Sequence, residues 1–164
     1  MFNVVGDLVA QDSFHMSLAL EQAARALADD EVPVGAVVIC DNEVVGQGYN
    51  CREKLQEPTG HAEIVAVRAA ASRLKSWRLE NCTLYVTLEP CIMCMGTIIQ
   101  ARIPRLVFGC FDPKGGAVVS LYRLGDDPRL NHQLEMRSGV MEAECADILS
   151  MFFNGLRQKK KADA

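Results

Sequence analysis

Residues 83–88, TLYVTL, form a β-rich run with no polar face, and the chain then passes through Glu89 and Pro90 into Cys91-Ile92-Met93-Cys94. A strand of that composition is covered on both sides, so helices must lie above and below the sheet that contains it. Proline suits the first turn of a helix, where its missing N–H is no loss. Residues 91–101 are therefore predicted to leave the strand as a helix that opens on two cysteines.

The flanking sequence supplies the other layers. Over residues 13–29, apolar side chains recur at helical spacing (Phe14, Leu18, Leu20, Ala24, Leu27). Ser13 is the expected N-cap and Glu21 with Arg25 an i,i+4 pair. Residues 34–40 and 43–49 are short β-branched runs separated by Asp41-Asn42, the turn chemistry of a hairpin. A polar stretch, 50–60, with Pro58 and Gly60, leads into an Ala-rich helix over 61–74 that opens on His61-Ala62-Glu63. Beyond the second motif come a strand over 105–109, a Gly- and Pro-rich loop over 110–116 and a short apolar piece over 118–124. A last strand over 133–137 and a long helix over 141–158 complete the series. Helices interleaved with strands predict an α/β fold, a three-layer α/β/α sandwich with a central mixed sheet of about five strands. No linker, repeat or low-complexity block divides the 164 residues. One domain is expected, with its core over about 13–158, a short N-terminal extension and a basic C-terminal tail.

Composition excludes several classes. No apolar run is long enough to span a bilayer, and the N-terminus lacks the basic and apolar regions of a signal peptide, so neither membrane insertion nor secretion is expected. Seven cysteines, an odd number in apolar surroundings, point to a reducing cytoplasm with thiols buried or bound to metal. A net charge of −4 argues against a general nucleic-acid binder. The cations are unevenly placed, however: Arg157, Lys159, Lys160 and Lys161 gather at the end against Asp163 alone.

His61, Cys91 and Cys94 make a ligand set known for catalytic zinc, which leaves a fourth position for water. Cys91 and Cys94 share a face at a helix start, where the positive end of the macrodipole favours thiolates. A metal can bring the pKa of bound water from about 15.7 to about 7, worth about 12 kcal/mol, which is the scale that justifies one. Glu63, in the same opening turn as His61, can enter the cavity without ligating and is the expected carrier of protons from water to a ring nitrogen and then to a leaving amine. A lone Cys-x-x-Cys suits redox or core roles equally, and a lone His-x-Glu carries little information. Joined, with each half opening a helix, they favour catalytic zinc, and a thioredoxin-like dithiol has no need of the His-Ala-Glu helix.

These residues resemble the H-x-E…P-C-x-x-C signature of the zinc-dependent nucleoside and nucleobase deaminases. The likeness to bacterial tRNA adenosine deaminases runs through EVPVGAVVI (31–39), GQGYN (46–50), HAEIVAVRAA (61–70), TLYVTLEPCIMCMGTII (83–99), RIPRLVFG (102–109), DPKGGA (112–117) and NHQLE (131–135). The resemblance implies a cytidine-deaminase-like fold, a homodimer, a zinc cofactor, and conversion of adenosine to inosine at the wobble position of a tRNA anticodon. The anticodon stem-loop would be the partner, with no DNA as native substrate.

By position, the resemblance implies that Asn50 hydrogen-bonds the purine, a task suited to an amide that donates and accepts. The backbone N–H groups of Ala62 and Cys91 would orient water or the leaving group. Asp112 would accept from a ribose 2′-OH, Phe153 with Phe152 would pack on loop nucleotides, and Arg157 with the basic tail would meet stem phosphates. Cys51, Cys110 and residues 57–60 depart from the usual pattern in loops that touch substrate, and His15 and His132 are expected as ordinary polar or RNA-rim residues. Two other readings stay open. A free-base deaminase acting on guanine or cytosine would share fold and metal, and a zinc-stabilised interaction module would keep the ligands without a use for Glu63.

Overall fold

A computed structural model describes residues 4–162 of the chain. Five strands form one mixed sheet in the order β2-β1-β3-β4-β5. β1 (Gly35–Cys40) pairs antiparallel with β2 (Glu43–Tyr49) and with β3 (Cys82–Leu88). β3, β4 (Arg105–Cys110) and β5 (Glu135–Arg137) run parallel. The β1–β2 hairpin turns at Asp41 and Asn42, both at positive φ (50° and 64°). A two-residue type I′ connection demands that geometry, and Asp and Asn tolerate it.

Alternation along the strands builds the layers. Ala36, Val38, Leu84, Val86, Leu106 and Phe108 face α3 (Ala62–Leu74) and α4 (Ile92–Gln100), packing on Ala66, Val67, Ala70, Met95 and Ile98. Val37, Ile39, Tyr85 and Val107 face the opposite layer, where α1 (Val4–Ala28) supplies Met16 and Ala19 and α5 (Glu142–Ala162) supplies Cys145. The run over 83–88 is thus the central strand, covered on both sides. The architecture is the three-layer α/β/α sandwich with a five-stranded mixed sheet that the order of elements predicts.

Close approach of α3 to β2 depends on glycine. A Cβ on Gly48 would lie 2.6 Å from Ala62 O and 2.7 Å from Ala66 N, so only a residue without one lets the first turn of α3 rest on the hairpin.

Four local expectations change. α1 is already helical at Val4, the first described residue, and Ser13 lies inside it, where its hydroxyl donates to Val9 O at 3.1 Å and caps nothing. The early turns escaped the periodicity because Leu8 and Val9 are exposed and do not extend the buried seam. Arg25 donates to Gln22 Oε1 at 3.5 Å and forms no pair with Glu21. Pro90 precedes the N-cap Cys91, so α4 starts at Ile92. The polar stretch after β2 contains a short helix, α2 (Arg52–Leu55), ended by Gln56 in left-handed backbone (φ 51°). Among the described residues, no helix is long and apolar enough to cross a membrane.

Candidate metal centre and substrate pocket

His61 and Cys91 are the N-caps of α3 and α4, both in extended backbone and neither making a side-chain cap bond. Their side chains turn toward each other, between two helix N-termini whose first N–H groups lack intrahelical partners. Cys91 Sγ lies 3.6 Å and Cys94 Sγ 3.5 Å from His61 Nδ1, and the three ligand atoms sit within 4.8 Å of one another. Tetrahedral zinc, with bonds of about 2.3 Å to sulfur and about 2.1 Å to nitrogen, sets S and N about 3.6 Å apart. The donor set therefore fits zinc in type and in both S–N separations.

The same crowding displaces protons. The neighbouring Cys94 thiol stabilises a Cys91 thiolate, and with help from His61 this overcomes burial and brings Cys91 down to about 4. Cys94 is pushed up by Cys91 and by burial, while His61 is raised by its contact with Cys91 against burial. A cation binding here would release the shared protons. Glu63 is 4% exposed, and burial pushes it up to about 7 despite its own backbone N–H and His61. A carboxyl balanced near neutrality can both take and give a proton.

His61, Glu63 and Cys91 open on a cavity of about 140 Å³ that is also lined by Val32, Asn50, Arg52, Ala62, Leu88, Glu89 and Asp112, with Cys94 fully buried behind them. The Asn50 amide nitrogen donates to Glu31 Oε2 at 3.3 Å and to Val32 O at 3.2 Å. Its two hydrogens are thereby engaged, which narrows the expected donor-and-acceptor role to the amide oxygen in this arrangement. Buried Glu31 also accepts from Lys54 N at 2.6 Å, anchoring α2 beside the cavity. Arg52, on α2, is half-exposed and only loosely paired with Glu53 at 3.7 Å.

Asp112 lines both this cavity and a groove of about 570 Å³ formed with Phe111, Lys114, Leu149, Phe153 and Arg157. Asn50, Ala62 and Asp112 therefore line the same cavity as His61 and Cys91, while Phe153 and Arg157 stand in the adjoining groove. His15 does not lie at a rim: it is 5% exposed and packs on Tyr85 with ring centroids 4.9 Å apart. His132 Nε2 meets Ile103 O at 2.8 Å.

Residues 9–110 match the profile of the cytidine and deoxycytidylate deaminase zinc-binding region. The chain belongs to this deaminase family. It is 46% identical to the tRNA-specific adenosine deaminase of Bacillus subtilis (strain 168) over 154 residues, 94% of this chain and 96% of the relative. Identity to the tRNA-specific adenosine deaminase of Haemophilus influenzae is 48%, over 93% of this chain and 88% of that protein. A solved structure from work on A-to-I editing by tRNA:A34 deaminases superposes with a TM-score of 0.80 at 46% identity, covering 83% of this chain and 99% of that one. The guanine deaminase from Bacillus subtilis gives 0.58 at 32% identity, covering 60% and 63%.

Sequence reasoning located the ligands of this deaminase site but missed Glu31, Arg52 and Glu89. Glu89 had one visible signal, a carboxylate at the end of an otherwise apolar strand. Burial pushes it up, but donors from Ser120, Val119 and Asp112 outweigh burial and hold it below the usual carboxylate value. Cys51 and Cys110 are likewise explained locally, their thiols donating to Gly60 O at 3.6 Å and Thr87 O at 3.4 Å.

Proposed function

We propose that this chain hydrolyses adenosine to inosine and ammonia at the wobble position of a tRNA anticodon. The observation that carries the reading is continuity. The 140 Å³ cavity beside the metal ligands shares Val32, Leu88 and Asp112 with the 570 Å³ groove lined by Phe153 and Arg157. A free base needs only the cavity, whereas a nucleotide presented from a loop needs both. A base already unstacked in an anticodon loop also lowers the free energy of flipping it.

His61, Cys91 and Cys94 would hold zinc, which when bound supplies a Lewis acid that acidifies water. Glu63 takes a proton from the attacking water and passes it to a ring nitrogen of the purine. It then takes the second proton from the hydroxyl now on C6 and gives it to the amine, so that the C6–N bond breaks, ammonia leaves and the C6 carbonyl of inosine forms. The Ala62 and Cys91 N–H groups, at the opening turns of α3 and α4, orient the water or the departing ammonia. Asn50 holds the purine, and the carboxylate of Asp112 accepts from the ribose 2′-OH, which selects RNA over DNA. Arg52, the one arginine or lysine lining the cavity, is suited to an adjoining phosphate. Phe153 offers a face for a neighbouring base, and Arg157 with Lys159, Lys160 and Lys161 meets stem phosphates.

The working unit in this reading is a homodimer joined through the outer face of α3 and α4. Val67, Ala71, Met93 and Gly96 form a shallow apolar surface there beside Trp77, which is 59% exposed. Seven free cysteines suit the reducing cytoplasm, where tRNA is processed.

The test is incubation of the zinc-loaded protein with an anticodon stem-loop bearing a wobble adenosine, and separately with adenosine, guanine and cytosine. Inosine should form in the stem-loop alone. Xanthine from guanine, or uracil from cytosine, without inosine in the RNA would replace this reading with free-base deamination.

A further inference from the structure

Glu89 is 2% exposed and no arginine, lysine or histidine pairs with it among the described residues. Its carboxylate is instead met by donors from a single loop. Oε1 accepts from the N–H groups of Val118 (3.1 Å), Val119 (2.8 Å) and Ser120 (2.9 Å). Oε2 accepts from Asp112 N at 3.0 Å and from the Ser120 hydroxyl. Room for this wrapping comes from Gly116, where a Cβ would collide with the carboxyl group. Ala117 N also donates to Pro90 O at 2.8 Å, so the loop is fastened next to the residue that caps α4.

We infer that Glu89 is a positioning residue for substrate, holding the loop over 112–120 so that Asp112 faces the cavity. The inference rests on the reading that Asp112 contacts the ribose. A buried carboxylate is expensive unless its lone pairs are satisfied. A loop hung from one carboxylate at both its start (Asp112) and its far side (Val118 to Ser120) cannot move one end without breaking hydrogen bonds at the other. Both oxygens must be acceptors for this to work. Glutamine, of nearly the same shape, turns one of them into an NH₂ group facing N–H donors, which releases part of the loop while leaving the volume filled.

The test is a double-mutant cycle on the zinc-loaded enzyme with a wobble-adenosine stem-loop, reading KM and kcat separately together with zinc content. Glu89→Gln should raise KM about tenfold with kcat within about twofold and one zinc per chain retained, the pattern of lost uniform binding. In an Asp112→Ala background the same substitution should change KM by less than about twofold. Ser120→Ala, which removes a single donor, should raise KM by about two- to threefold, with the same coupling to Asp112, and it decides the matter if Glu89→Gln does not fold. A multiplicative cycle, a loss of zinc or a fall in kcat alone would overturn the role of Glu89. An Asp112→Ala variant with unchanged KM would remove the ribose contact itself, a separate failure that takes the inference with it.

Discussion

Glu63 sits in the same helical turn as His61 but in a different chemical position: its environment holds the carboxyl at about 7, where the thiols and imidazole beside it form a metal-type donor set. The three ligands and Glu63 therefore separate by experiment. Glu63→Ala should bind one zinc per chain by metal analysis yet lose about 10²–10⁴-fold in turnover, the usual worth of a general acid–base group. Normal turnover with zinc in place would end the proton-carrier assignment. These four residues were legible in the sequence because metal chemistry demands scarce residue types at fixed spacing, and each half stands at a helix start where the backbone amplifies it. Glu31 and Glu89 were not, for a physical reason. What they do is accept hydrogen bonds from residues distant in sequence, and a carboxylate in a string of letters does not say which N–H groups will reach it.

At the level of elements, α1 is bound to the parallel half of the sheet by one buried acid. Asp12, 1% exposed, accepts from Arg105 Nη1 and Nη2 at 2.8 Å each, from Tyr85 OH at 2.7 Å, and from Arg137. Helix α1 is thereby joined to β3, β4 and β5 at once. Burial raises the Asp12 carboxyl, but hydrogen bonds from Arg105 and Tyr85 outweigh it and hold the group below its ordinary value of 3.8. A depressed native pKa gives stability that is present above the unfolded value and lost as pH falls through the native one. Asp12→Asn should accordingly lower stability by about 3 kcal/mol near neutrality and flatten the acid limb below about pH 4, as measured by urea unfolding between about pH 2 and 7. An acid limb of unchanged slope would show that other carboxylates govern it. The central strands and α3 and α4 were legible because each buries a run of small or apolar side chains, whereas β5 and α5 bury little and left a weaker pattern. The start of α1 was not, since its first turns expose Leu8 and Val9 and its position is fixed by Asp12, a polar residue that periodicity discounts.

Over the whole molecule, charge and shape are distributed unequally. The chain is acidic overall, with a net charge of −4, yet α5 carries Arg157, Lys159, Lys160 and Lys161 along its final turns, past the groove that adjoins the metal centre. An acidic body repels a polyanion except where cations offset it, so this end of α5 is where approach of RNA should be focused. Only Cys145, near the start of α5, is buried in that helix, and residues 157–162 are exposed. Truncation there leaves the core untouched. Removal of residues 157–164 should leave the thermal midpoint within about 2 °C, since surface changes away from such packing shift stability by only about 0.5 kcal/mol. Binding should nevertheless weaken, and the slope of log K against log salt should become shallower by up to about 3.6, the release expected from four phosphate contacts at about 0.7–0.9 each. Fluorescence anisotropy of a labelled stem-loop across a salt series measures that slope. A parallel line displaced downward would assign the loss to Phe153 and the reshaped groove, and an unshifted line would leave the tail as solvated charge with no part in recognition.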